Sequence, residues 1–341
     1  MKTMSFITVL SISFFSLFSC KKDSDSTANV APTNLTVTAD VSTNNSGNVA
    51  FVASATNATT YDYDYGDGTF QTVASGSITY KYAASGTYSV NVIAKSASGQ
   101  TISKSIQVTV TVVSSVFWSD EFNTDGAPDP SKWGYELGAG GWGNSELQYY
   151  TGRPENSIVQ GGVLKIKLLK ESYSGSSYTS ARLISKGKFA FTYGKVEISA
   201  KLPAGGGTWP ALWMLGANIT NAGWPDCGEI DIMEHKGNEL NKIYGTLHYP
   251  GHFGGNGNGA TKMISNATTA FHKYTLDWSA AAIKIYVDDV LYHTVANSNA
   301  IPFNQDFFLL MNVAMGGTFG GNVDPAFTNA TMEVDYIRVY K

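Results

Sequence analysis

The stretch Trp224–His235 reads WPDCGEIDIMEH and brings Glu229, Asp231 and Glu234 close together in the chain. Polar and apolar residues alternate over positions 229–232, and a period of two predicts a β-strand with one polar and one apolar face. Strict alternation would direct Glu234 into the core, where an unpaired carboxylate is costly. We therefore predict a β-bulge at Ile232 or Met233, which returns Glu234 to the face of the other two acids.

Such a strand would gather Glu229, Asp231 and Glu234 on one surface. Like charges this close cannot all ionise freely, so at least one acid is expected to hold its proton near neutral pH. A protonated acid beside an ionised carboxylate is the pair that a retaining glycosidase uses. Two other interpretations stay open, namely a solvated strand face and a calcium site. Zinc is disfavoured because His235 would point away from Glu234.

The chain as a whole, 341 residues long, is poor in charge and rich in small residues. Only 15% of its residues are charged, 43% are hydrophobic and 35 are glycine. This composition argues against helical bundles and coiled coils, which need long runs of Ala, Glu, Lys, Leu and Arg. It favours many short strands, so we predict an all-β protein. The net charge of −4 offers no strong field to a polyanion, and a nucleic-acid partner is therefore disfavoured.

The N-terminus is typical of a bacterial lipoprotein. Residues 1–19 contain one early Lys and an apolar stretch too short to cross a bilayer, which predicts a signal peptide. Cys20 follows a small residue, as in a lipobox, and we expect it to carry a membrane lipid anchor; the alternative is a chance Cys near an ordinary cleavage site. Residues 20–30 would then form a tether, and the protein would be a secreted, outer-membrane or cell-surface lipoprotein. With Cys20 modified, Cys227 is left alone, and we expect it to be a buried structural residue.

Residues 31–113 alternate in short β-like runs and have the length of one immunoglobulin-sized sandwich. The pair Asp67-Gly68 predicts a tight turn and therefore a hairpin. We expect this module to be a spacer, with a weak glycan binder as the alternative. Three of its segments resemble the PKD family of Ig-like modules, namely Tyr63–Gly68 (YDYGDG), Tyr80–Tyr82 (YKY) and Ser85–Val90 (SGTYSV).

Residues 114–341 contain all seven Trp and all five His of the chain, so the chemistry is expected to reside there. Strand-like runs continue to the C-terminus, whereas no 12-residue stretch has convincing helical periodicity. We expect these residues to form one large antiparallel sandwich.

The segment 116–341 resembles glycoside hydrolase family 16, and in particular its laminarinase (endo-1,3-β-glucanase) branch. The spacing Glu229-x-Asp231-x-x-Glu234 matches the bulged signature of that family. Further matching segments follow in the family's order: Trp118–Asn123, Gly141–Thr151, Thr208–Leu215, Gly245–Pro250, Met311–Gly317 and Val334–Tyr340. The resemblance implies a β-jelly-roll (concanavalin-like) sandwich with a glucan chain lying in its concave groove.

The resemblance also implies an activity, which is the retaining endo-hydrolysis of internal β-1,3-glucosidic bonds in laminarin-like β-glucans. Mixed-linkage β-1,3/1,4-glucan would be a further substrate. Two alternatives stay open: the same fold acting on another polysaccharide, such as lichenan or an agar-type galactan, and a non-catalytic glycan-binding lipoprotein. No cofactor would be required for catalysis, and we expect a monomer.

Residue by residue, the resemblance makes Glu229 the nucleophile, Glu234 the acid/base and Asp231 the helper that tunes them. Six further residues match groove positions. Three would stack on sugar rings and three would hydrogen-bond sugar hydroxyls, with core packing or another structural role as the alternative: Trp209, Trp213, Trp224, Asn144, Arg182 and His248.

Two other features are expected outside the catalytic strand. Glu121, Gly162 and Asp335 correspond to a structural calcium position on the convex face, built partly from backbone carbonyls. The glycine-rich stretch His252–Gly259 is expected to be a mobile loop at the groove rim, or else a connector without contact to sugar.

Overall fold

The computed structural model describes residues 30–113 and 115–341. The predicted signal peptide (1–19), the lipidation site Cys20 and nearly all of the tether lie outside the described residues. Within the described ranges no helix is both long and apolar enough to cross a membrane. The chain divides into two compact units between Val113 and Ser114, and each unit has a hydrophobic core of its own.

The N-terminal unit contains seven strands among its described residues. Their bounds are β1 (Thr33–Val41), β2 (Asn48–Thr56), β3 (Thr60–Asp64), β4 (Phe70–Val73), β5 (Ser77–Lys81), β6 (Gly86–Lys95) and β7 (Thr101–Val110). They form two antiparallel sheets, one with the order β1-β2-β5 and the other with the order β4-β3-β6-β7. This arrangement is the small sandwich that the alternating runs predict.

Tyrosines fill much of this sandwich because alternate positions of a strand point to the same face. Tyr63 and Tyr65 are buried, and the Tyr63 hydroxyl donates a hydrogen bond to the Gly76 carbonyl at 2.6 Å. The phenol is therefore satisfied inside the core. β3 pairs antiparallel with β4, which confirms the hairpin predicted at Asp67-Gly68.

The C-terminal unit is a larger two-sheet sandwich. Its elements are β8 (Val116–Asp120), β9 (Gly134–Tyr135), β10 (Gln148–Tyr150), β11 (Ser157–Val159), β12 (Leu164–Tyr173), β13 (Ser176–Ser180), β14 (Arg182–Ile184), β15 (Gly194–Lys201), β16 (Thr208–Gly216), α1 (Ile219–Ala222), β17 (Glu229–His235), β18 (Lys242–His248), β19 (Asn258–Met263), β20 (His272–Trp278), β21 (Ala282–Val287), β22 (Val290–Ala296), β23 (Phe307–Met315), α2 (Gly317–Gly320) and β24 (Asn329–Tyr340). Both α-helices have only four residues, so the all-β prediction is confirmed.

One sheet has ten strands and the other has seven. The ten-stranded sheet follows the order β10-β13-β12-β24-β15-β20-β21-β22, with β11 paired to β12 and β8 paired to β24. The seven-stranded sheet follows the order β19-β18-β17-β16-β23-β14-β9. The acidic strand β17 therefore lies inside its sheet, with β16 and β18 as neighbours.

Two apolar clusters cover the two faces of the seven-stranded sheet. The main core combines residues of both sheets, including Ile230 of β17, as its alternation predicts. A smaller cluster on the opposite face contains Trp213, Phe308 and Leu310. All nine residues of β23 are buried, because alternate side chains enter the two clusters. We call the face turned away from the main core the active face.

Candidate active site

The bulge in β17 places the three acids on the active face. Asp231 pairs with Thr246 and Glu234 pairs with Tyr244, so three steps along β17 correspond to two along β18. The register with β16 shifts at the same place. The two residues between the acids are both fully buried in the main core. The β-bulge predicted at this position is confirmed, and it returns Glu234 to the side of Asp231.

Two indoles hold the two glutamic acids. Trp224 donates its Nε1–H to Oε2 of Glu229 at 3.1 Å, and Trp209 donates its Nε1–H to Oε1 of Glu234 at 2.9 Å. The family resemblance predicts both tryptophans as sugar-stacking residues, and the structure shows that each also donates a hydrogen bond to a glutamic acid. The hydrogen bonds fix where each carboxyl group points before a substrate arrives.

His248 lies against the acids. Its Nε2 is 3.3 Å from Oδ2 of Asp231 and 3.9 Å from Oε1 of Glu229. Gly257 packs against the imidazole, and a Cβ atom at this position would come within 2.6 Å of His248 Cε1. The sequence predicts a hydrogen bond from His248 to sugar hydroxyls, whereas the structure directs its Nε2 to the carboxylates.

Burial raises the pKa of all three acids. Asp231 is 4% exposed and Glu234 is 8% exposed, so their ionised forms lose most of their hydration. Burial, with the nearby Asp231 charge as a second cause, raises the pKa of Glu234 to about 8. The same two causes raise the pKa of Glu229, while His248 opposes the rise. The site therefore retains protons near neutral pH, as the clustering of acids predicts.

Arg182 lies between two indoles on the active face. Its guanidinium is 4.8 Å from the ring centre of Trp142 and 4.7 Å from that of Trp213, and its Nε is 2.6 Å from a Glu136 oxygen. Cation–π contacts and an ion pair thus fix its position. Its charge also opposes the rise in the pKa of Glu229. The cation is therefore placed to favour the ionised form of that acid.

Two predicted sugar contacts are engaged within the protein instead. Trp213 is only 8% exposed and donates its Nε1–H to Asn312 at 2.8 Å, so the structure favours the packing alternative for this ring. Asn144 donates its side-chain amide to Glu146 at 3.1 Å, and its carbonyl accepts a hydrogen bond from Thr318. Asn144 therefore stabilises its own loop through hydrogen bonds within the protein.

Aromatic rings that the sequence analysis did not single out flank both ends of the acids. Phe253 of the glycine-rich stretch is exposed, with its ring centre 5.6 Å from that of Trp224. At the other end, the Phe319 ring is 5.1 Å from the Trp209 ring and 5.0 Å from the Tyr244 ring. The glycine-rich stretch thus lies at the rim of the site. Only its position beside Trp224 in the fold, which is not visible in the sequence, identifies Phe253.

Two reactive side chains near the strand are buried away from the acids. Cys227 is a free, fully buried thiol, and burial raises its pKa to about 11, which fits the predicted structural role. His235 is also fully buried, and burial lowers its pKa to about 4. Its side chain lies on the face opposite Glu234, as predicted.

The three positions predicted for calcium lie on or beside strands β8, β12 and β24 of the ten-stranded sheet. β24 pairs with β12 as far as residue 334 and with β8 from residue 337 onward, so Asp335 lies in the gap between Gly162 and Glu121. The Glu121 carboxylate, however, accepts hydrogen bonds from Arg338 at 2.9 and 2.7 Å. A carboxylate paired with a guanidinium is a poor calcium ligand, so the Glu121 side chain does not fit the predicted role. Backbone carbonyls and the Asp335 carboxylate are the candidate calcium ligands that remain.

A two-sheet sandwich whose bulged strand presents Glu229, Asp231 and Glu234 on one face provides the paired carboxyl groups that a glycoside hydrolase needs. The family assignment agrees with this class. The chain belongs to the glycosyl hydrolases family 16, whose model matches residues 144–338, and residues 29–112 match the PKD domain. Glycosidases of this family need no cofactor for catalysis.

Relatives share the C-terminal unit. The β-glucanase of Rhodothermus marinus is 48% identical over 240 residues, which are 66% of this chain and 84% of that protein. The structure of LamA from Zobellia galactanivorans with laminaritriose and laminaritetraose is 44% identical, with a TM-score of 0.62 over 66% of this chain and 98% of that chain. SCLam is a non-specific endo-β-1,3(4)-glucanase solved with an oligosaccharide at its active site. It is 40% identical, with a TM-score of 0.65 over 67% of this chain and 95% of that chain.

Proposed function

We propose that this glycoside hydrolase cleaves internal β-1,3-glucosidic bonds of laminarin-like β-glucans and retains the anomeric configuration. The observation that carries the proposal is the bulged strand, which presents Glu229 and Glu234 on one face with Asp231 between them. The choice of substrate is supported by LamA, whose structure holds laminarin oligosaccharides, and by the β-glucanase name of the R. marinus relative.

The reaction proceeds in two displacements. In the first, a carboxylate oxygen of Glu229 attacks the anomeric carbon while Glu234 gives its proton to the glycosidic oxygen, and the bond between that carbon and oxygen breaks. The leaving sugar departs with its new hydroxyl. In the second, Glu234 removes a proton from a water molecule, whose oxygen displaces Glu229 from the same carbon. Two inversions restore the original configuration.

The surroundings assign the two protonation states. Glu229 accepts the indole hydrogen bond of Trp224 and lies near the charges of Arg182 and His248, which favour its ionised, nucleophilic form. Glu234, whose pKa is raised to about 8, keeps the proton that it must donate.

Replacing each glutamic acid by its amide tests these roles. We expect Glu229→Gln to have no measurable turnover of laminarin, and Glu234→Gln to lose about 10²- to 10⁴-fold in kcat, the usual contribution of a general acid. Reducing-sugar release measures both, and circular dichroism checks folding. Glu155→Gln changes an exposed glutamic acid and is the matched control. Retained turnover in Glu229→Gln would exclude Glu229 as the nucleophile.

The polysaccharide preference needs a separate measurement. SCLam is a non-specific endo-β-1,3(4)-glucanase, so mixed-linkage glucan is the second candidate substrate. We expect laminarin to be cleaved faster than lichenan, curdlan or agar, with product sizes showing internal cuts. NMR of the first product should show the β-anomer. Binding of laminarin without cleavage would favour the non-catalytic alternative, and faster cleavage of agar would overturn the glucan assignment.

Anchoring to a membrane is proposed from the sequence alone. We propose that Cys20 carries a lipid that holds the enzyme at the outer membrane or cell surface. Cys20→Ser should move the protein from the membrane fraction to the soluble fraction, whereas equal partition of both forms would contradict the anchor.

We further propose that the PKD domain is a spacer. A glycan binder would be expected to expose a flat aromatic platform, whereas Phe70, 71% exposed, is the single largely exposed aromatic ring between residues 30 and 113. Co-sedimentation with insoluble curdlan compares the Glu229→Gln chain with and without residues 30–113. Equal binding is expected; a large loss of binding on removal of the domain would identify it as a glycan binder.

Structural calcium is proposed only through backbone carbonyls and Asp335. The position of Asp335 in the gap between the strands paired with β24 supports this proposal, whereas the pairing of Glu121 with Arg338 removes the Glu121 side chain as a ligand. If calcium binds there, EDTA should lower the Tm and Asp335→Asn should abolish that effect. A Tm unchanged by EDTA would exclude the site.

A further inference from the structure

Three ligand atoms of the kind that transition metals prefer meet beside the catalytic strand. His248, Asp231 and Glu229 each offer one ligand atom, and these three atoms all lie within 4.8 Å of one another. The sequence disfavours zinc because His235 points away from the acids. That argument does not apply to His248, because the neighbouring strand β18 places this histidine beside Glu229.

The separations suit a tetrahedral ion. Zinc–ligand bonds of about 2.0–2.1 Å require ligand atoms about 3.4 Å apart. Nε2 of His248 is already 3.3 Å from Asp231 and 3.9 Å from Glu229. The separation between the Glu229 and Asp231 ligand atoms is at most 4.8 Å, so Glu229 would have to move toward the other two. Two of the three ligands are therefore nearly in place without any ion.

The lone pairs of these atoms are available. Oδ2 of Asp231 is buried and accepts no hydrogen bond from the residues that the structure describes. Glu229 receives the Trp224 hydrogen bond on Oε2, which leaves Oε1 facing His248. A buried carboxylate oxygen without a donor loses its solvation, and a cation would restore it.

The donor set selects the kind of metal. One imidazole and two carboxylates suit Zn²⁺ and Cu²⁺, whereas Ca²⁺ and Mg²⁺ prefer oxygen ligands alone. Nδ1 of His248 is buried without a partner, although a metal-bound histidine usually donates that N–H to an acceptor. Loss of such a partner weakens metal affinity about 10- to 100-fold, so the site would be weak and exchangeable.

We propose that Zn²⁺ or Cu²⁺ binds reversibly to Glu229, Asp231 and His248 and blocks hydrolysis by occupying the nucleophile. The binding depends on the geometry alone, whereas the inhibition rests on the proposed function of Glu229. The two parts can therefore fail separately.

Binding is tested by calorimetric titration of ZnCl₂ into the full chain, after removal of metals with EDTA. We expect saturable binding that His248→Asn weakens at least tenfold. His252→Asn changes an exposed histidine of the same rim and is the matched control, and His272→Asn tests the separate His272–Asp288 pair. Neither control should alter the affinity.

Copper provides a spectroscopic test that does not depend on activity. The electron paramagnetic resonance spectrum of the Cu²⁺-loaded chain should show nitrogen coupling from one imidazole, and His248→Asn should lose it. If His248→Asn misfolds, Gly257→Ala displaces the imidazole without removing it and should weaken binding too. Absence of saturable binding, or binding that survives in folded His248→Asn, overturns the proposal.

Inhibition is measured on laminarin. Zn²⁺ should inhibit competitively and EDTA should restore the rate, whereas equal concentrations of Ca²⁺ or Mg²⁺ should have no effect. Zinc binding without inhibition would overturn the blocking role. An enzyme that binds zinc but never cleaves laminarin would instead refute the proposed function and leave the metal site standing.

Discussion

At the scale of single residues, the two tryptophans next to the acids act through their nitrogen atoms as well as their rings. Each indole N–H donates to one carboxyl group, and such a bond to the ionised form lowers the pKa of that group. For Glu234 this effect opposes the larger rise caused by burial. Trp209 therefore sets how far into the alkaline range Glu234 can remain an acid.

Replacing Trp209 by Phe tests this effect. The ring plane is kept, but the hydrogen bond that lowers the pKa of Glu234 is lost, so that pKa should rise. Because turnover requires protonated Glu234, the alkaline limb of the pH profile of kcat/KM should move to higher pH. A lower rate with an unmoved alkaline limb would show that Trp209 acts only by packing.

Glu234→Gln should also change stability in a pH-dependent way. The pKa of Glu234 rises from an ordinary value of 4.5 to about 8 on folding, so the folded state holds this proton more tightly than the unfolded state. Below pH 4.5 both states are protonated and the substitution should be neutral. Between pH 4.5 and 8 the unfolded state gains by ionising, and this penalty on folding grows with pH.

Glutamine does not ionise and escapes that penalty. The Tm of the variant should therefore exceed that of the wild type at pH 8, by about 2–4 °C for each kcal/mol recovered, and match it at pH 4. Thermal denaturation at both pH values measures this, with Glu155→Gln as the control. Equal Tm differences at the two pH values would contradict the cause given for the pKa.

At the scale of elements, the bulge of β17 and the rim stretch after β18 build the site together. The bulge sets which residues face the substrate, whereas the rim stretch holds His248 in place through Gly257. A Cβ atom on Gly257 would approach His248 and Thr246 to 2.6 Å, so only glycine allows this close packing.

Gly257→Ala should consequently displace the imidazole and lower kcat, by about tenfold or more, since misplaced catalytic groups are costly. Gly255→Ala is the matched control in the same stretch, because a Cβ atom there meets no neighbour within 4 Å. Steady-state kinetics on laminarin compare the two. Equal activity of both variants would show that the rim does not position His248.

At the scale of the whole molecule, all three acids and both indoles come from the C-terminal unit. A chain of residues 114–341 should therefore cleave soluble laminarin with unchanged kcat and KM. A tenfold rise in KM on removing residues 1–113 would show that the N-terminal unit contributes to binding this substrate.

The all-β class, the two sandwiches and the bulge could be predicted from the sequence, because alternation and the cost of a buried carboxylate are local properties. The contacts that the Trp213 and Glu121 side chains make could not be predicted from the sequence. Trp213 is covered by residues of β23, and Glu121 is paired with Arg338, 217 positions away. Such partners become visible only once the strand order is known.

The strand β23, buried on both faces, has a consequence for how the molecule opens. Its amides are bonded to β16 on one side, and its side chains are shielded by the main core and the smaller cluster together. Exchange of these amide hydrogens with deuterium requires both clusters to separate, which approaches global unfolding of the C-terminal unit. The last protons to be replaced by deuterium should therefore lie beneath the active face, next to the strand that carries the acids.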